Sequence, residues 1–143
     1  MDRAVVAQKL ESLRRCIARI EAKCPASAQA LVDDADLQDI IALNLTRAVQ
    51  LGVDIAAHLI AERMDVPAPG TMGQTFDALA QTGIIDAALS ERLKKAVGFR
   101  NIAVHSYERI DWLIVHAIAR HHLADFTAFA QCVARAPTGR SSG

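Results

Sequence analysis

The 143-residue chain is poor in the residues that break helices or build β-rich folds: it holds 4 prolines, 7 glycines and 4% aromatic residues. Sandwiches and barrels need more of each, and with alanine and leucine plentiful the scarcity argues for an all-α protein. Cysteine is sparse as well. Cys16, Cys24 and Cys132 are odd in number and show none of the short Cys-x-x-Cys or Cys/His spacings of a zinc site, which leaves them as buried or idle thiols in a reducing compartment. Neither sign of charge dominates. With 16 basic and 16 acidic residues the formal net charge is zero, so no global field draws the molecule onto nucleic acid and any RNA-facing or DNA-facing surface has to be local. Long hydrophobic runs are missing too: the longest, 112–115 and 117–119, is interrupted by His116 and falls short of the ~20 residues of a membrane span. The first ten residues alternate charged and apolar side chains, unlike a secretory signal. These absences predict a soluble cytoplasmic protein with no membrane contact.

What the chain does have is a hydrophobic content of 52%, enough for one domain to bury a core without cross-links. A single helical domain is expected over 1–136, with 137–143, small and polar, as a flexible tail. Val6, Leu10, Leu13, Ile17 and Ile20 form one apolar stripe of a first helix over 4–23, opposite Lys9, Arg14, Arg15, Arg19 and Lys23. A linker then leads to the longest helix, 36–64, with Asp36 as N-cap and Asp39 supporting the first turn. Its apolar side is Leu37, Ile41, Leu45, Ala48, Gly52, Ile55 and Leu59; Arg47, Gln50, Asp54, His58 and Glu62 form a narrow polar stripe. Gly52 in its middle costs about 1 kcal/mol relative to alanine, which predicts close approach of another helix. The segment 65–73 is too rich in proline and glycine to be helical. A short helix over 74–81 stopped by Gly83, a helix from 87 capped by Asp86, and a last helix running to 135 from a cap at Asp111 complete the reading. Leu113, Ile114, Ala117, Ile118, Phe126, Phe129 and Val133 are the core candidates of that last helix. The expectation is an antiparallel bundle of about five helices, four of them long.

Asp54 and His58 stand four residues apart on one helix face, as a local pair or as groups looking into a cleft. Neither they nor His116, His121 and His122 have companions at metal-ligand spacing, so no metal site is expected. Between Glu91 and Arg100 four basic residues face one acid, the best local anion-facing surface of the chain. Immediately after it Arg100, Asn101, His105 and Tyr107 fall within eight positions. Taken singly, Arg100 would pair with a carboxylate, His105 would cap a helix end and Tyr107 would pack with its hydroxyl in water. Together they supply a fixed cation, an amide, a group titrating near neutrality and a phenol, a set suited to phosphate chemistry. The five-residue spacing of Arg100 and His105 would place them about 140° apart around a continuous helix. Either the helix ends near Val104 and the chain turns His105 back, or two copies of the chain meet so that one cleft collects both.

The run Arg100-Asn101-Ile102-Ala103-Val104-His105-Ser106-Tyr107 resembles the R-x-x-x-x-H-x-Y signature of HepT-like proteins of the HEPN superfamily, the toxin half of MNT/HEPN toxin–antitoxin pairs. Residues 36–39 and 53–62, Gly83-Ile84-Ile85-Asp86, Leu93 and Gly98-Phe99 extend the resemblance over most of the chain. It implies an up-and-down four-helix core and a homodimeric, metal-independent endoribonuclease that needs no cofactor. Arg100 and His105 would then be the catalytic pair in a dimer cleft, Asn101 their support, and Asp54 and His58 candidate cleft-lining residues. RNA would be the substrate. An MNT-type nucleotidyltransferase antitoxin would be the partner, and Tyr107 the residue on which it places AMP. The alternative is a non-catalytic HEPN-like helical module that binds a nucleotidyltransferase or a nucleotide.

Overall fold

The computed structural model describes residues 3–63 and 65–136, so the expected tail at 137–143 lies outside the described residues. Within them the protein is all helix: seven α-helices, α1 (Arg3–Lys23), α2 (Ala28–Val32), α3 (Ala35–Ala61), α4 (Met72–Gln81), α5 (Ala87–His105), α6 (Trp112–His121) and α7 (Leu123–Arg135), with a 3-10 turn at Tyr107–Arg109. The all-α expectation holds, with more and shorter pieces than the five expected.

α1 buries the stripe its spacing announces, with Leu13 and Ile20 fully inaccessible; each such aliphatic side chain stabilises the fold by roughly 1.5–3 kcal/mol. It packs along α3. Between them the expected linker contains α2, capped by Ser27, whose hydroxyl accepts from the Ala30 amide at 3.1 Å, and pinned by the fully buried Leu31. A five-residue helix with one core residue is too short to show a hydrophobic period. The cap of α3 is Asp34 rather than the expected Asp36: its Oδ1 accepts from the Leu37 amide at 3.1 Å. Asp36 falls within the first turn, where its charge favours the positive helix end. α4 also starts earlier than expected, because Thr71 caps it through the Gln74 amide.

α3 is the central element and touches every other helix of the bundle. By length and composition it could cross a membrane, although charged residues interrupt its apolar runs, yet 56% of its most apolar window is buried inside the protein, as in a core helix. Gly52 lies against two phenylalanines. A methyl group built there would sit 3.4 Å from Phe76 of α4 and 3.9 Å from Phe129 of α7, and those rings meet edge to face with centroids 5.8 Å apart. The close approach expected at this glycine is made by aromatic side chains from two helices. Gly83 ends the α4 turn with φ +84, a left-handed conformation that glycine adopts without steric cost.

The last helix departs from expectation. It divides at His122 into α6 and α7, which lets α6 lie over α2 while α7 runs beside α1 and α5. α6 turns Val115 and Ala119 inward. Leu113 and Ile114, expected in the core, lie about 200° and 100° around the helix from Val115 and are 57% and 56% exposed; Ala117 is exposed too. On α7, Phe126, Phe129 and Val133 are buried as expected.

Candidate functional site

α5 is held in register by Leu89, Leu93, Val97 and Phe99, all buried, and this fixes where its polar end points. Arg100 turns toward α3. Its Nη2 donates to Gln50 Oε1 at 3.4 Å and its Nη1 to Asn101 Oδ1 at 3.2 Å, while Nε is buried without a hydrogen-bond partner. Gln50 in turn donates through Nε2 to Asp54 Oδ1 at 3.0 Å, and Lys9 of α1 reaches the other oxygen of Asp54 at 3.4 Å. A string Arg100–Gln50–Asp54–Lys9 therefore ties three helices together and holds the guanidinium from its inner side. The amide of Gln50 is oriented by having a cation at its oxygen and a carboxylate at its nitrogen.

The Asp54–His58 pair does not form. Both Asp54 oxygens are engaged by Gln50 and Lys9, and His58, half-buried a turn further on, makes no hydrogen bond or ion pair among the described residues. Asp54 thus joins the Arg100 string, and His58 does not.

His105 is the last residue of α5, exposed and without a hydrogen bond or ion pair among the described residues. The helix continues unbroken from Arg100 to His105, ending only where the Ser106 amide bonds back to the Ile102 carbonyl at 2.8 Å. The helix thus ends one residue past Val104, but His105 belongs to its last turn and is not turned back toward Arg100. Within one chain the guanidinium and the imidazole leave the helix about 140° apart, Arg100 toward α3 and His105 toward solvent. Asn101 is exposed beside them.

Tyr107 opens the 3-10 turn. Its hydroxyl donates to Asp39 Oδ1 of α3 at 2.5 Å, and its ring meets Trp112 edge-on at a centroid distance of 5.8 Å. Burial, with the Asp39 hydrogen bond and charge added, raises the phenol well above its ordinary range, although the side chain is 41% exposed. Asp39 and Gln50 are the two site residues that sequence reasoning passed over. The signal was present: they lie eleven residues apart, which returns to the same face of a helix within about 20°, and that face continues to Asp54.

The anion-facing surface expected along α5 is largely neutralised. Arg92 pairs with Asp125 at 2.8 Å, Lys94 with Asp77 at 3.1 Å and Glu91 at 3.0 Å, and Arg100 is turned inward. Among the described residues no group of three or more His, Cys, Asp or Glu is placed to hold a metal ion.

Fold and site together define an all-α protein whose polar centre offers a guanidinium, an amide, an imidazole and a held phenol at one helix end. Residues 13–133 match the family described as Ribonuclease HepT-like. The chain is 37% identical over 129 residues to the mRNA nuclease HepT of Shewanella oneidensis, covering 90% of this chain and 96% of that protein. The crystal structure of a toxin–antitoxin with AMP-PNP superposes with a TM-score of 0.86 at 34% identity, covering 93% of this chain and 99% of the other. A tri-AMPylated Shewanella oneidensis HEPN toxin in complex with its MNT antitoxin does so equally well, with a TM-score of 0.86 at 34% identity, covering 95% of this chain and 100% of that one. The chain belongs to the Ribonuclease HepT-like family of HEPN toxins and is an enzyme of that ribonuclease class.

Proposed function

We propose that this chain is the toxin of a bacterial toxin–antitoxin pair, an endoribonuclease that works without metal, with Arg100 and His105 brought together in the cleft of a homodimer. The observation that carries this reading is their placement on different sides of one unbroken helix, which a second copy reconciles by setting the Arg100 of one chain against the His105 of the other. Surface chemistry supports it: Ile102 and Val104 within the motif and Leu43 on α3 are 45%, 48% and 49% exposed, apolar area that a partner copy would cover.

RNA carries its own nucleophile in the 2′-hydroxyl. An imidazole is suited to take that proton or to return one to the leaving 5′-oxygen, and a guanidinium offsets the charge that grows on the phosphate between. The exposed His105 is free for proton transfer. Arg100, held from behind by Gln50 and Asn101, keeps its orientation, and Asn101 is its support. Asp54 contributes through Gln50 rather than by lining the cleft.

The partner is an MNT-type nucleotidyltransferase antitoxin that places AMP on Tyr107. An adduct two residues from His105 brings phosphate charge and bulk to the mouth of the cleft and repels RNA. The test is RNA cleavage in excess chelator. The protein should cleave, Arg100→Ala and His105→Ala should lose at least about 10²-fold with unchanged thermal melting, and AMP addition on Tyr107 should silence the wild type. Equal cleavage by the variants would remove Arg100 and His105 from the chemistry, and a wild type that does not cleave would leave the non-catalytic module standing.

A further inference from the structure

Tyr107 is the only tyrosine of the chain, and it is held in a way that packing alone does not require. Its ring is fixed by Trp112 and its hydroxyl by Asp39, across an interval of 68 residues. At 2.5 Å the contact falls in the range of charge-assisted O–H···O⁻ bonds, about 2.5–2.7 Å. Asp39 is exposed and, among the described residues, its only hydrogen-bond or ion-pair partner is this hydroxyl. We infer that Asp39 is the base for modification of Tyr107, aiming the phenol oxygen at the incoming nucleotide and accepting its proton as the new bond to phosphorus forms. This rests on the reading of Tyr107 as the AMP acceptor.

The chemistry asks for such a group. A phenol whose surroundings hold it protonated at neutral pH is a poor nucleophile until an acceptor takes its proton. In the step, a lone pair of Tyr107 Oη attacks the α-phosphorus of a nucleoside triphosphate, the bond from that phosphorus to the bridging oxygen breaks, and pyrophosphate leaves with the electron pair. The phenol proton passes to Asp39 and from there to solvent. No electrons are gained or lost. The second turn of α3, a helix capped by Asp34, carries the carboxylate, and the 3-10 turn carries the phenol, so both partners are positioned before any nucleotide arrives, which is the condition under which a side-chain base is effective.

A plain tether between α3 and the 3-10 turn would use the same contact, and Asp39→Asn separates the two roles. Asparagine keeps an oxygen that can accept the phenol hydrogen bond and so preserves the tether, but it cannot take the proton away. The experiment mixes the protein with an MNT-type nucleotidyltransferase antitoxin and magnesium ATP under single-turnover conditions, with AMP addition read by intact mass. Wild type, Asp39→Asn and Asp39→Glu are compared, with thermal melting and antitoxin affinity measured alongside. At saturating antitoxin and ATP, Asp39→Asn should be modified at least about 10²-fold more slowly, with melting and affinity unchanged, and Asp39→Glu should recover part of the rate. Modification of Asp39→Asn at the wild-type rate would overturn the inference. So would a faster rate, which would mean that Asp39 shields the hydroxyl, or a slow rate matched by lost affinity, which would mean a tether. Should the wild type itself gain no AMP, the assignment of Tyr107 falls and the inference with it; a modified wild type with an unaffected Asp39→Asn leaves that assignment intact and removes Asp39 alone.

Discussion

Replacing Gln50 by alanine tests whether the string behind Arg100 matters to catalysis. The substitution removes the 3.4 Å contact to Arg100 Nη2 and the 3.0 Å contact to Asp54, but leaves Asp54 its lysine and leaves Arg100 its 3.2 Å bond to Asn101. Close hydrogen bonds to charged groups are worth about 1.5–3 kcal/mol. The Arg100 contact is long and half-exposed, so about 1 kcal/mol is the appropriate figure, and at 1.36 kcal/mol per factor of ten this corresponds to roughly a five-fold loss in kcat/KM. Because Gln50 touches only the back of the guanidinium, the loss should appear mainly in kcat, and thermal melting should fall by little. Steady-state cleavage of a defined RNA, with melting curves, measures both. A loss as deep as that of Arg100→Ala would refute the reasoning by placing Gln50 in the chemistry; wild-type kinetics would refute it by showing that Arg100 is oriented without it.

Gly52→Ala should be tolerated and raise stability by up to about 1 kcal/mol, since the added methyl stands in ordinary contact at 3.4 Å from Phe76 and the helix gains propensity; Gly52→Val, with two further methyls against Phe76 and Phe129, should lose about 1–3 kcal/mol in urea melts. Asp34→Ala should cost about 1 kcal/mol and Asp36→Ala clearly less, because the hydrogen bond to the Leu37 amide comes from Asp34. Phenolate absorbance reads Tyr107 alone, as the chain has one tyrosine, and its midpoint should lie above the ordinary value of about 10 and move back toward it in Asp39→Asn, which removes the charge that opposes ionisation. The sign of the linked stability follows: the folded phenol is raised, so its contribution is complete below about pH 10 and is lost as pH climbs through the folded value.

The bundle was largely legible because its long helices carry strong periods. Leu13, Ile20, Ile41, Leu45 and Ile55 are buried where the spacing puts them. Two kinds of feature were not. α2 has five residues and one core contact, too little for any period, and the division at His122 follows from which neighbours α6 and α7 pack against, a matter of tertiary contact. Leu113 and Ile114 are apolar residues on the outer side of α6, and composition alone cannot tell such a face from a core. In the site, Arg100, His105 and Tyr107 announced themselves by type and spacing. Asp39 and Gln50 did not, because an aspartate near the start of a helix and a glutamine in a polar stripe have ordinary local explanations. Their role exists only once α5 lies against α3.

The central claim is that two copies complete one site, and mixing variants tests it directly. Arg100→Ala and His105→Ala protomers, each inactive alone, are exchanged in equal amounts and assayed for RNA cleavage in excess chelator. If the Arg100 of one chain works with the His105 of the other, every mixed dimer holds one intact site, and the mixture should recover about a quarter of wild-type activity by the statistics of a two-fold assembly. No recovery after verified exchange would contradict the account.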